Sequence, residues 1–387
     1  MNKCSSVFGQ ILQIIPRNEF EKAVRETESE RSAKGFTSWG QFVAMLFCHL
    51  GKANSLREIC GGLASCLGKL KHLGIPSAPS RSTLSYANEH RSWQLYEKVF
   101  YRLLEKCQSV AKGKKKFRFK NRLFSLDSTV IELCVSLFDW AKYRQTKGAV
   151  KLHLLLDHEG YLPQFACITE GNVADVNIAR DLRLPLGSIS AVDRGYVDYA
   201  LFYRWTTEGV YFVSRLKENA SYAVVETMDI PKNRNILKDQ LIRFTGTESS
   251  KKYPEALRRV EVWDEENEKA IVLITNHLKF GATTIAAIYK DRWQIEIFFK
   301  TIKQNLKIKT FVGTSANAVL IQIWTALIAI LILKYLKLKS TFGWSLSNLV
   351  AMLRYNLFTY RDLWTWLDDP YQTPPITPEL EQLSMNF

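Results

Sequence analysis

The sequence predicts a mixed α/β protein, a sheet core carrying a β-rich insertion and preceded by an α-helical domain. Three observations lead there. Apolar residues up to about position 110 recur at helical spacing, apolar runs around Asp127 and Asp193 read as strands, and a charged helical stretch from Tyr289 follows a long β-prone segment. With 387 residues, 47% of them hydrophobic, the chain can bury a large core and divides into two or three domains.

Residues 1–110 form the helical domain. Phe42, Val43, Met45, Leu46 and Leu50 share a helix face, and Ser55-Leu-Arg-Glu58 has the pattern of a capping box. Arg81, Ser82 and Thr83 open a helix that suggests a DNA-facing helix-turn-helix element, an ordinary packing pair being the alternative. Residues 111–217 supply the first part of the core. They begin with AKGKKKFRFKNR, residues 111–122, whose seven cations are placed to track a nucleic-acid backbone. The run RLFSLDSTVIEL then reads as a buried strand, in which an Asp must be paired or bound to metal.

Asp157, in the Asp-His-Glu-Gly between two apolar runs, reads as part of a hairpin turn. His153 reads as a core histidine, Asp139 as a loop acid, and Asp175 as the cap of a helix from about Val176. In SISAVDRGYVDYALF a short strand ends at Asp193, and Gly195 starts a turn into a helix. YFVSRLK closes this part as a strand that offers Arg215 and Lys217 to DNA. Residues 218–270 turn charged and β-prone, an insertion. Residues 271–367 complete the core: the strand IVLITN, a helix capped by Thr283 or Thr284, then further helices. Residues 368–387, with Pro370, Pro374, Pro375 and Pro378, form an irregular tail.

The segment YKDRWQIEIFFKTIK places Tyr289, Arg292, Glu296 and Lys303 at offsets of 0, 3, 7 and 14 residues. On one helix these four share an arc of about 60°, with Lys300 and Lys307 near it. A solvated face with ion pairs would have the same charges. Here Trp293, Ile295, Ile297, Phe298, Phe299 and Ile302 surround the stripe, which predicts a largely buried helix with a polar seam facing a cleft.

This spacing resembles the Y-(2)-R-(3)-E-(6)-K signature of bacterial insertion-sequence transposases of the DDE class, in the subgroup usually called the IS-four family. The extension QNLKIKTFVGTS, residues 304–315, the stretch Asp193-Arg194-Gly195-Tyr196, and the N-terminal runs FTSWGQFVAMLF, SLREICGGL and SRSTLSYANEHRSW are also similar. The resemblance implies a ribonuclease-H-like core whose catalytic, metal-binding acids are Asp127, Asp193 and Glu296. It implies DNA contacts by Tyr289, Arg292 and Lys303, with Lys300, Lys307 and Arg194 beside them. Trp293 reads first as a core tryptophan on the helix face; base stacking, if ends pass through hairpins, is the alternative that the resemblance implies. The implied activity is cut-and-paste transposition, by a dimer that bridges two inverted-repeat ends and joins them to target DNA.

Three clustered carboxylates ionise together only beside divalent cations, and all-oxygen ligation suits a pair of Mg²⁺ or Mn²⁺ ions. Tyr289 is not read as the nucleophile of a tyrosine recombinase, which needs an Arg/His constellation and no acid triad. Two rival classes share part of the pattern: a metal-dependent nuclease without strand transfer, and a DNA-binding regulator derived from a transposase.

Fifty-three Lys and Arg against 38 Asp and Glu give a formal charge of +15, which favours a polyanionic partner. Seven cysteines without CxxC spacing fit a reducing compartment, and no secretory leader is evident, so the expected location is the bacterial cytoplasm, at the nucleoid. The apolar run Ala318–Leu333 is shorter than the roughly 20 residues a membrane span needs and reads as a buried helix packed on the sheet.

Overall fold

The computed structural model describes residues 5–376 except 32, 34, 67, 134–137, 139, 141, 145–146, 233 and 307–310. Lys307, Asp139 and the part of the tail that holds Pro378 therefore lie outside the described residues. The chain divides into two compact units, Ala111–Phe299 and a second made of Met1–Val110 with Lys300–Phe387.

Among the described residues six α-helices come first: α1 (Val7–Leu12), α2 (Arg17–Glu26), α3 (Ser38–Leu50), α4 (Leu56–Ala64), α5 (Arg81–His90) and α6 (Gln94–Ala111). Four start at a hydroxyl side chain, Ser6, Thr37, Ser55 and Ser80, that accepts a first-turn N–H which would otherwise lack a partner. At Ser55 the expected box forms with one change. The hydroxyl accepts the Glu58 N–H at 3.2 Å, but Glu58 reaches back to the N–H of Asn54, at 2.9 Å, and not to that of Ser55.

The sheet unit follows with β1 (Leu123–Leu133), β2 (Lys142–Arg144), β3 (Lys147–Asp157), β4 (Leu162–Glu170), α7 (Asp175–Asp181), β5 (Ile189–Val192), α8 (Tyr199–Thr207) and β6 (Tyr211–Arg215). β4, β3 and β1 run antiparallel as a meander, and β1, β5 and β6 run parallel. The resulting order β4-β3-β1-β5-β6 is the expected ribonuclease-H-like arrangement. Parallel strands need both faces covered. On one face Phe124, Leu126 and Val192 pack with Ala179 of α7 and Phe202 and Trp205 of α8; on the other lie Leu123, Ile189 and Ala191.

The β-rich insertion comprises β7 (Tyr222–Thr227), β8 (Ile236–Phe244), α9 (Thr247–Lys252) and β9 (Leu257–Asp264), followed by β10 (Lys269–Thr275). These strands extend the same sheet beyond β6 in the order β10-β9-β8-β7, so the insertion widens the core layer. β10 contains the expected strand from Ile271 to Thr275, Asn276 lying just beyond it, and pairs antiparallel with β6.

α10 (Ala282–Asp291) packs Ile285, Ile288 and Tyr289 onto the second face of the sheet, and α11 (Gln294–Asn305) continues the chain. Two expectations change here. The cap of α10 is Gly281, without a side-chain bond, and Thr283 and Thr284 lie inside the first turn. The signature is also not one helix. Between α10 and α11 the N–H groups of Trp293, Ile295 and Glu296 bond three residues back, a tightened link that re-aims everything after Arg292.

The last helices among the described residues are α12 (Ala316–Lys339), α13 (Leu346–Asn356) and α14 (Leu363–Asp368). α12 is buried as expected, and the helices α3, α5 and α13 pack against it. A helix apolar on every side needs cover all round, which helices at several angles provide. It is long and apolar enough to cross a membrane, yet 83% of its apolar window is already covered by protein.

Candidate active site

Parallel pairing of β1 with β5 ends at Leu126 opposite Val192, so the next residues, Asp127 and Asp193, stand side by side where β5 stops. Such an opening beyond a parallel strand is where sites in open α/β sheets collect. Asp193 caps a single 3₁₀ turn, Arg194–Tyr196, and accepts the Gly195 N–H at 2.7 Å. A Cβ on residue 195 would come within 3.1 Å of that carboxylate, so glycine permits the close approach. Asp127 accepts the Ser128 N–H at 2.8 Å, and its side chain is only 18% exposed.

Glu296 enters from the first turn of α11, with Arg292 between it and Asp127. The guanidinium lies 3.5 Å from Asp127 Oδ2 through Nη1 and 2.8 Å from Glu296 Oε1 through Nη2. Burial pushes the Asp127 carboxyl up to about 7; the charges of Asp193 and Glu296 push the same way, against the Ser128 N–H and Arg292. Asp127 thus feels the charge of both other acids. Among the described residues no three acid, histidine or cysteine side chains are gathered tightly enough to hold one ion as they stand. Arg292 occupies the gap and partly neutralises it. In donor type and crowded charge the acids fit a hard divalent cation, and closing around one requires Arg292 to give up its bridge.

The remaining candidates are distributed as follows. The Tyr289 ring lies under two guanidinium groups, 5.5 Å from Arg215 and 5.6 Å from Arg292, and burial raises its phenol. Arg292 Nε is buried without a hydrogen-bond partner, a donor left for a ligand. Arg194 makes an exposed ion pair with Glu218 at 2.6 Å. Lys300 is exposed and Lys303 half-buried, both further along α11. The expected burial around the seam holds for Ile295, Phe298, Phe299 and Ile302, but Trp293 is 57% and Ile297 42% exposed. The tightened link turns both outward, so Trp293 is not a core tryptophan.

Asp175 is not a cap. It is the first residue of α7, and its carboxylate accepts from Ser128 Oγ at 2.7 Å and pairs with Lys151 at 3.2 Å, directly behind Asp127. Its neighbour His153, fully buried, donates or accepts at Thr169 and is a core histidine as expected. Asp157 closes the hairpin as expected, paired with Arg122 and accepting the Glu159 N–H. Asp291 and His158, which sequence reasoning passed over, are bonded to each other beside the site. The only signal was their position, next to Arg292 and Asp157.

The family described as "Transposase DDE domain" matches residues 118–332, and a "Domain of unknown function (DUF4372)" matches residues 3–76. "Putative transposase y4zB" of Sinorhizobium fredii is 30% identical over 83% of this chain and 88% of its own length. "Probable transposase for insertion sequence element IS5377" of Geobacillus stearothermophilus is 27% identical over 66% of this chain and 67% of its own. "Putative transposase for insertion sequence element IS4SA" of Synechocystis is 26% identical over 71% and 76%. Among solved structures, a piggyBac transposase synaptic complex with hairpin DNA aligns over 98% of this chain and 84% of its own, at 10% identity and a TM-score of 0.46. With more than half its length inside one family and a relative 30% identical over 83% of it, the chain belongs to the DDE transposases.

Proposed function

We propose that this DNA transposase works by cut-and-paste, with Asp127, Asp193 and Glu296 as ligands for two Mg²⁺ or Mn²⁺ ions, and acts as a homodimer that bridges two inverted-repeat ends. One observation supports this above others: the adjacency of Asp127 and Asp193 where β5 ends, with the charge of Glu296 felt at Asp127. Bound ions would supply activation of the attacking water or 3′-hydroxyl and charge relief at the leaving oxygen. The protein's own residues do the rest. Asp127 and Asp193 are held by backbone N–H groups, so they are oriented before any ligand arrives. Arg292, released from the acids, has an unused Nε–H to offer a phosphate, with the Tyr289 ring as its backing.

Incubation with a supercoiled plasmid carrying the flanking inverted repeats tests the reading. Mg²⁺-dependent excision and joined products are expected. Nicking without joining would favour the nuclease alternative, and end binding without cutting the regulator. The site of action would be chromosomal DNA in the cytoplasm.

Two further outcomes are expected of the DNA contacts. Lys303→Ala weakens end binding and lowers the slope of log affinity against log salt by about one, as loss of a single phosphate contact does. An unchanged slope in a filter-binding titration would remove Lys303 from the interface. Trp293→Ala leaves the first nick intact but reduces hairpin-ended product on denaturing gels, about 10-fold if one stacked base is lost. Equal hairpin yield would make the exposed indole irrelevant to that step.

A further inference from the structure

We infer that Ser125, His158 and Asp291 form a sealed hydrogen-bonded chain that sets Arg292 and Glu296 against Asp127, which makes Asp291 a positioning residue for strand cleavage. Ser125 Oγ lies 2.7 Å from His158 Nε2, and His158 Nδ1 lies 2.7 Å from Asp291 Oδ2. Asp291 Oδ1 accepts from Lys116 Nζ at 2.5 Å, and Tyr161 donates to Oδ2 at 3.2 Å. Burial alone would raise the Asp291 carboxyl, but the hydrogen bonds from His158 and Lys116 overcome it and hold the group below the usual carboxylate range. Asp291 is therefore a charge, fully paired.

The order Ser, His, Asp invites comparison with a nucleophilic triad, and exposure excludes one. Ser125, His158 and Asp291 are 0%, 4% and 2% exposed, so no carbonyl can reach the hydroxyl. What the chain does reach is the catalytic frame. Ser125 precedes Asp127 by two residues on the same face of β1. Asp291 is the last residue of α10, immediately before Arg292 and the tightened link into α11. His158 sits in the turn after β3, whose position is fixed by its own N–H bonding to Leu123 O at 2.9 Å. Three segments are thereby tied at one point, and a shift of about 1 Å in the link carries Arg292 and Glu296 away from Asp127.

The inference rests on the reading of Asp127, Asp193 and Glu296 as the cleavage site. Asp291→Asn preserves shape and removes the charge. We expect end cleavage per folded molecule to fall about 10- to 100-fold, with a roughly 10-fold higher Mg²⁺ requirement. Lys116→Ala, at a side chain 56% exposed, should lose less, and Lys116→Arg should restore it. Asp127→Asn is run alongside. If Asp127→Asn cleaves normally, the underlying site is wrong. If it is dead while Asp291→Asn has wild-type rate and Mg²⁺ dependence, the positioning role alone is overturned. A rate loss explained wholly by a smaller folded fraction, with unchanged Mg²⁺ dependence, overturns it equally.

Discussion

Asp127→Asn, Asp193→Asn and Glu296→Gln should each reduce strand cleavage by more than about 100-fold, beyond what loss of a supporting hydrogen bond costs, while inverted-repeat DNA is still bound. Each substitution keeps volume and hydrogen-bonding capacity, so the backbone bonds from Ser128 and Gly195 to positions 127 and 193 can persist through the amide oxygen. What disappears is negative charge, which the ions require. Glu296→Gln also weakens the bridge to Arg292, made at 2.8 Å, and frees that guanidinium for phosphate. Its end affinity should therefore be equal or slightly tighter. Cleavage and gel-shift assays on the same preparations decide the matter, and wild-type cleavage by any one variant would take that residue out of the site.

The parts of this site legible in the sequence were those in which a charge breaks an apolar pattern. Asp127 interrupts Leu-Phe-Ser-Leu, Asp193 ends Ile-Ser-Ala-Val, and Glu296 lies among Ile and Phe; each break marks a carboxylate that the fold must accommodate. The strand meander and the insertion could be read the same way, because β-prone runs alternate with turns. Three-dimensional neighbours could not. Asp291, His158 and Ser125 come from separate segments, and nothing in their local sequence says that the turn after β3 meets the end of α10.

Helical periodicity misled in one place. Assuming 100° per residue through Arg292 and Trp293 put Trp293 and Ile297 inside, whereas the three-residue hydrogen bonds of the link turn them out. The all-round apolarity of α12 told that it is buried but not by what, since helices and sheets cover such a surface equally well.

Removing charge at position 127 should also stabilise the protein when no divalent ion is present. The Asp127 carboxyl stands near 7 in the folded chain and near its ordinary value of 3.8 when unfolded. Between those values the folded state holds more protons than the unfolded one, so stability falls as pH rises from about 4 to 7, and the full penalty remains above that. The shift, which already includes the help of Arg292, corresponds to about 4 kcal/mol at most; with water reaching the partly open side chain and relieving part of it, about 2 kcal/mol is a fair expectation. Asp127→Asn carries no such penalty. At pH 8 in EDTA its unfolding midpoint should lie about 4–8 °C above wild type, and near pH 4 the two should coincide. Adding Mg²⁺ should raise the wild type and leave the variant nearly unmoved, since ions that bind only the folded state stabilise it by mass action. A calorimetric scan in which Asp127→Asn is no more stable than wild type at pH 8 would mean that the acid is not electrostatically frustrated, and the cluster would lose its physical reason for attracting a cation.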